Sequence, residues 1–174
     1  MELTFPDRAV VVVAGLPGAG KSTLIRRAVD RDRVTVVDTD DARARGRGGR
    51  GLYLRHYARI AGAVLGGRPA VIHTRGTRAP ARRLIRLLAA LRGRPAFLVL
   101  VDAPRTVAEA GQRERGRTVS QKTMDAEWRR WRRLLIRGVG GERWHGVDVL
   151  DRDGAATVSA VAFTRAAPMA LVVA

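Results

Sequence analysis

The chain has 174 residues, close to the size of one domain, and its 46% hydrophobic content is enough to bury a core. It has no cysteine, which excludes disulfides, thiolate metal sites and a cysteine nucleophile, and it fits a reducing compartment, expected here to be the cytoplasm. The formal net charge is +17, and all but two of the 33 basic residues, Lys21 and Lys122, are arginine. Such a field favours polyanionic partners such as nucleic acid, although a genome rich in arginine codons gives the same skew. "MELTFPDRAV" lacks the basic n-region and apolar h-region of a signal peptide, and no apolar run approaches the ~18 residues of a membrane span.

In chain order, "RAVVVVAG" (8–15) is a β-branched run ending in glycine, the pattern of a strand buried on both faces. "KSTLIRRAVD" (21–30) has helical spacing, and "RVTVVD" (33–38) reads as a second buried strand. "RARGRGGRG" (43–51) is too glycine-rich to hold a helix and is expected to be a mobile loop. An amphipathic helix at 52–65, a strand at 69–74 and a helix at 79–93 closed by Gly93 follow. "PAFLVLVDA" (95–103) is the strongest strand, followed by helices at 104–116 and 120–138, a strand at 146–151 and a last helix at 155–166. The apolar "APMALVVA" at the end is expected to be a docked tail. Strands alternating with helices predict an α/β fold, a three-layer αβα sandwich around a parallel sheet of about five strands, in one domain over 1–174. In such sheets ligands bind beyond the carboxyl ends of the strands.

"GLPGAGKST" (15–23) contains the whole GxxxxGK[ST] pattern between a buried strand and a helix, the context that the motif requires. Gly15, Gly18 and Gly20 admit conformations costly to other residues. With Pro17 and Ala19 they form a loop whose N–H groups converge on phosphate at a helix N-terminus. Lys21 is expected to reach the β- and γ-phosphates, Ser22 to bind Mg²⁺ and Thr23 to bond the α-phosphate of ATP or another nucleoside triphosphate. The fold class is therefore expected to be that of a P-loop NTPase.

"VVDTDDAR" (36–43) places Asp38, Asp40 and Asp41 at the end of the second strand, on the edge that should carry the phosphate loop. A carboxylate there can take the proton of an attacking hydroxyl. The same residues can cap a short helix, and one can cap while another faces a substrate.

Together, "GLPGAGKSTL", "VVDTDDAR" and "VLVDAPRTVAEAGQRERGRTV" resemble the P-loop kinases of the polynucleotide 5′-kinase type, a group that includes small-molecule and zeta-toxin-like kinases. The resemblance spans 8 to about 164. It implies a kinase-type fold with an arginine lid over approximately 111–122, Asp40 as general base on a 5′-hydroxyl of RNA or DNA, and Arg43 on the acceptor's neighbouring phosphate. A guanidinium suits that task because it pairs with phosphate bidentately and stays charged. It also implies a lid arginine at Arg115 that closes over the transferring phosphoryl group. The second lid arginine of the family falls on Gly111, with Arg113 or Arg117 as nearby substitutes.

Where relatives often carry an aspartate, "PAVIHT" has His73 near its end, which is either structural or a contact to the acceptor. Asp38 is then expected to hold the metal with Ser22, as the end of the strand beside the phosphate loop. Arg75 or Arg78 in "TRGTRAP" can touch the acceptor, and Arg152 in "LDRDGA" can stack on adenine or simply sit in a turn. Trp128 and Trp131 are read as core anchors, and Arg129, Arg130, Arg132 and Arg133 as a solvated face. The acceptor stays open between a polynucleotide and a small molecule such as a sugar acid, a nucleotide sugar or an antibiotic. A non-catalytic module in which ATP switches RNA binding is the third reading.

Overall fold

Four consecutive valines, Val10 to Val13, offer no polar face to water, and the chain builds its central strand from them. The structure, a computed structural model, describes residues 1–38, 50–114, 116 and 118–165, with residues 50–53 described by their backbone alone. Its elements in chain order are β1 (Glu2–Pro6), β2 (Val10–Gly15), α1 (Lys21–Ala28), β3 (Thr35–Val37), α2 (Arg50–Leu65), β4 (Ala70–His73), α3 (Ala79–Leu91), β5 (Ala96–Val101), α4 (Arg105–Arg113), α5 (Gln121–Arg137), β6 (Gly146–Leu150), α6 (Arg152–Thr157) and β7 (Ala160–Thr164).

β2 is buried along its whole length and pairs in parallel with β4 on one side and β5 on the other. With β3 outside β4 and β6 outside β5, the sheet is five-stranded and parallel, in the order β3-β4-β2-β5-β6. This order corrects one expectation. The strand that ends at Asp38 is not beside the phosphate-loop strand, because β4 intervenes and puts His73 there, in register with Val13. Local pattern marks a strand but not its neighbour, which the crossovers decide.

A second correction concerns the last helix. Residues 155–166 hold only the end of the short α6, and the chain then extends into β7, which pairs in parallel with β1 as a separate two-stranded ribbon. Val158 and Val161 fit helical spacing, but Val161 and Phe163 also fit alternation, and pairing with β1 decides between them. Leu3, Phe5 and Val161 of the ribbon close over Leu24, Ile25 and the valines of β2, leaving only a narrow apolar space. Phe5 lies 5.1 Å from Phe97 and 5.9 Å from Phe163, centroid to centroid. Arg27 of α1 donates to the carbonyls of Ala155 (2.8 Å) and Val158 (2.9 Å), tying α1 to the ribbon's base. The backbone is already helical at Arg50 and Gly51, ahead of the expected start. The rest of the glycine-rich stretch and the apolar tail from 166 onward lie outside the described residues.

The end of α2 is held by a buried cation. Arg94, 2% exposed, donates to the carbonyls of Ala63 (2.9 Å), Val64 (2.8 Å), Gly66 (2.7 Å) and Arg8 (2.8 Å), and also to those of Ala9 and Arg68. The last carbonyls of a helix have no partner within it, and one five-donor guanidinium satisfies several at once. Burial, and then the neighbouring charges of Arg8 and Arg92, hold its pKa below the usual arginine value.

Candidate functional site

The carboxyl edge of the sheet carries the phosphate loop. After Gly15 the chain turns at Leu16–Ala19 (Ala19 N–H to Leu16 O, 3.1 Å) and enters α1 at Lys21. Gly18 and Gly20 have φ of 89° and 101°, in the left-handed region that suits glycine. Gly20, at the N-cap, has no side chain to occupy the first amides of α1, and the first turn has no acidic residue. The positive end of the helix therefore faces the loop, as an anion site requires. Lys21 is 5% exposed and its Nζ donates to Gly15 O (2.9 Å) and Leu16 O (2.7 Å), so its charge is held against the loop. Ser22 is buried beside it, and Thr23 is exposed. This donor set fits a triphosphate and, through the Ser22 hydroxyl, a hard cation.

Asp38 and His73 meet in the interior of the same edge, 4% and 5% exposed, with Nδ1 of His73 hydrogen-bonded to Oδ1 of Asp38. A carboxylate only accepts, so Nδ1 carries the hydrogen when Asp38 is ionised. From the sequence His73 is a lone strand-end histidine; in the fold it is half of a buried pair. Asp40, Asp41 and Arg43 lie outside the described residues.

The loop after β4 rides over the end of β2. Gly15 N–H donates to Arg75 O (3.1 Å), and a β-carbon on Gly76, at φ 64°, would stand 2.2 Å from Cβ of Ala14. Thr77 donates to Oε2 of buried Glu127, which also faces Arg75 (3.4 Å) and Arg130 (3.2 Å). Arg78 is exposed at the N-cap of α3. The loop is thereby fastened to α5, a link that no local sequence signal announces.

α4 lies on the phosphate loop. A β-carbon on Gly18 would stand 1.9 Å from Ala108 O, and one on Gly111 would stand 2.7 Å from Gly18 O. Gly111, where the second lid arginine is expected, faces the loop backbone, and a side chain there would press on Gly18 unless the helix or the loop shifts. The next residue, buried Gln112, donates from Nε2 to Pro17 O (3.2 Å) and accepts at Oε1 from Val119 N–H (2.8 Å). One side chain thus joins the phosphate loop at Pro17 to Val119, seven residues further along the expected lid. Arg113 is exposed, while Arg115 and Arg117 lie outside the described residues. Arg105 pairs with Glu109 (2.8 Å) and Asp125 (2.6 Å), fastening α4 to α5, and these bonds raise its pKa, Glu109 first.

Arg152 begins α6 and donates to Val107 O (3.3 Å), which holds it against α4. Trp131 is fully buried as expected, its indole N–H donating to Asp102 Oδ1 (2.7 Å) at the end of β5, whereas Trp128 is half-buried beneath Arg132. Arg129, Arg132 and Arg133 are exposed, and Arg130 is half-buried. Sequence reasoning does not reach Gln112, Asp102 or Glu127. "VLVDAP" ends a strand in an aspartate, which is the one available signal for Asp102.

A family model described as an AAA domain matches residues 10–137. Among solved structures, a candidate kinase from Chloroflexus aurantiacus superposes with a TM-score of 0.61 at 14% identity, covering 88% of this chain and 90% of that one. A gluconokinase from Sinorhizobium meliloti gives 0.54 at 15% identity, over 95% of this chain and 87% of its own. The APS kinase of Mycobacterium tuberculosis, solved with AMPPNP and APS, gives 0.51 at 19% identity, over 83% and 90%. No curated protein matches the chain. The fold is that of the P-loop kinases, with the five-stranded parallel sheet expected. Among the described residues no helix is long and apolar enough to cross a membrane.

Proposed function

The chain belongs to the AAA-domain family, and from that premise we propose that it moves the γ-phosphoryl group of ATP to a hydroxyl, most specifically the 5′-hydroxyl of RNA or DNA. The observation that carries transfer, over mere holding of a nucleotide, is the bridge made by Gln112. Its amide spans Pro17 of the phosphate loop and Val119 within the expected lid, which links the position of one to that of the other. Phosphoryl transfer depends mainly on such positioning and on charge neutralisation, because the protein contributes little covalent chemistry.

In this reading the loop amides and Lys21 hold the triphosphate, and Asp40 accepts the proton of the attacking hydroxyl. The described chain reaches the carboxyl edge at Asp38, two positions before Asp40, which supports that assignment. Arg43 grips the acceptor's adjoining phosphate, Arg115 closes over the group being moved, and His73 and Arg78 border the acceptor. Ser22 is suited to hold Mg²⁺, with Asp38 assisting through water; when bound, the ion neutralises charge on the phosphate oxygens. Arg152 is the candidate for the adenine side. The net charge of +17 supports a polyanionic acceptor.

The test is transfer from γ-labelled ATP to a short oligonucleotide with a free 5′-hydroxyl, beside the same strand carrying a 5′-phosphate. Label on the first alone is expected. Asp40→Asn should then lower turnover by about a hundredfold or more and leave ATP binding in place. Label on a sugar acid or nucleotide sugar but not on the strand, with little response to salt, assigns the acceptor to the small-molecule class. ATP binding with no transfer to any acceptor leaves a nucleotide-switched binding module.

A further inference from the structure

Between α3 and α5 lies a groove of about 460 Å³, lined at one end by Thr77 and at the other by the turn at 138–142. Its floor is a closed network. Arg82, 4% exposed, pairs bidentately with Glu142 (2.9 and 2.7 Å), donates to Gly76 O, and shares Glu142 with the Trp144 indole (3.0 Å). The walls differ. Arg83, Arg133 and Arg137 are exposed and have no hydrogen-bond or ion-pair partner among the described residues, and Arg130 shares Glu127 with Thr77 and Arg75. The nearby carboxylates, Glu127 and Glu142, are both engaged in the interior, so the groove presents guanidinium groups without counter-charge.

Arg130, Arg133 and Arg137 recur at i, i+3 and i+7 along one face of α5, a row about 10 Å long. Arg83 lines the same groove from the second turn of α3. Like charges crowded on both walls of one concavity repel unless an anion joins them, and a guanidinium row is suited to successive phosphates. Its Thr77 end adjoins the loop pinned over Ala14 and Gly15, so that end of the groove lies near the edge that holds the phosphate loop.

We propose that this groove holds the phosphodiester backbone of the acceptor strand, a few nucleotides downstream of the end that enters the site. The inference rests on the phosphoryl-transfer reading and specifies how the acceptor is gripped. The grip is on phosphate and is therefore indifferent to base sequence.

The experiment uses the triple variant Arg83→Gln, Arg133→Gln, Arg137→Gln, which removes the charge, keeps a polar side chain and breaks no bond found in the described structure. Two quantities are measured: the affinity for a 12-nucleotide 5′-phosphorylated single strand across a salt series, and phosphorylation of a nucleoside 3′-monophosphate, which is too short to reach the groove. The wild type should bind the strand with a steep salt dependence. The variant should lose about 10- to 100-fold in affinity at low salt, and its log–log slope should fall by about 2, at roughly 0.7 for each phosphate no longer neutralised. Phosphorylation of the monophosphate should stay within about twofold. A variant that binds the strand like the wild type, or a wild type that does not bind it, overturns the groove. Loss of strand binding in a protein that phosphorylates no acceptor upholds the groove and sinks the transfer reading instead.

Discussion

Gly111 and Gly18 meet backbone to backbone: a β-carbon at position 111 would come within 2.7 Å of the Gly18 carbonyl oxygen. That approach is closer than real β-carbons make, so α4 and the phosphate loop fit together only while position 111 is bare. Gly111→Ala should push α4 outward and lower the affinity for a fluorescent ATP analogue by about tenfold, in keeping with a small overpacking cost. Gly111→Arg, which supplies the lid arginine that the sequence resemblance leads one to expect here, should weaken binding further and not speed transfer. A rise in kcat for Gly111→Arg would show that the packing there yields freely.

Gln112 makes a separable prediction, because it touches both Pro17 of the loop and Val119 ahead of α5. Gln112→Ala leaves Pro17 O and Val119 N–H without this partner, at a cost of about 1–3 kcal/mol. Turnover should fall by about tenfold while the fold is retained, as read by circular dichroism. Protection of the Val119 amide from hydrogen exchange should fall with it. Unchanged protection of that amide would mean that Gln112 does not hold the segment.

The Asp38–His73 pair invites a double-mutant cycle. Asp38→Asn alone and His73→Asn alone should each destabilise the protein, since each disturbs a buried hydrogen bond at the carboxyl edge. Together they should cost less than the sum, with a coupling of about 1 kcal/mol or more for groups in direct contact. Urea unfolding of the four proteins measures it, and strict additivity would mean that the bond contributes nothing to stability.

Which of these residues can be seen beforehand follows from the range of each interaction. The phosphate loop is legible because a valine run, a glycine motif and a helix start adjoin in sequence. The ribbon is not, because β7 finds β1 more than 150 positions away and the short run around Val161 satisfies two periodicities. Gly111 stands out in the sequence only as a missing arginine; its purpose depends on a helix crossing a loop some ninety residues earlier. His73 looks isolated because Asp38 lies 35 positions upstream, one strand over. Arg94 is invisible for another reason: its partners are carbonyls, which every residue has.

Arg94 gives the largest expected loss of stability. Lysine keeps the charge but has three donors, too few to reach the carbonyls that Arg94 serves at the end of α2 and the start of β2. Arg94→Lys should cost about 3 kcal/mol, roughly 6–12 °C in Tm for a chain of this size. Calorimetry checks it, and a change under about 2 °C would mean that water replaces the lost bonds.

Asp148 should do the opposite, with a dependence on pH that identifies the cause. It sits in β6 opposite Val99, and burial raises the pKa of its carboxyl above the usual carboxylate value. The folded chain therefore binds this proton more readily than the unfolded chain. The stabilisation due to that proton is full below the unfolded pKa and is lost as pH rises through the folded one. At neutral pH the half-buried charge weighs against folding. Asp148→Asn should therefore raise Tm at pH 7 by about 1–3 °C, and the advantage should shrink toward zero as pH falls below about 4, where both forms are uncharged. Other titrating groups are common to the two proteins and cancel in the comparison. An equal gap at pH 7 and pH 3.5 would assign the effect to packing or hydrogen bonding and not to the buried charge.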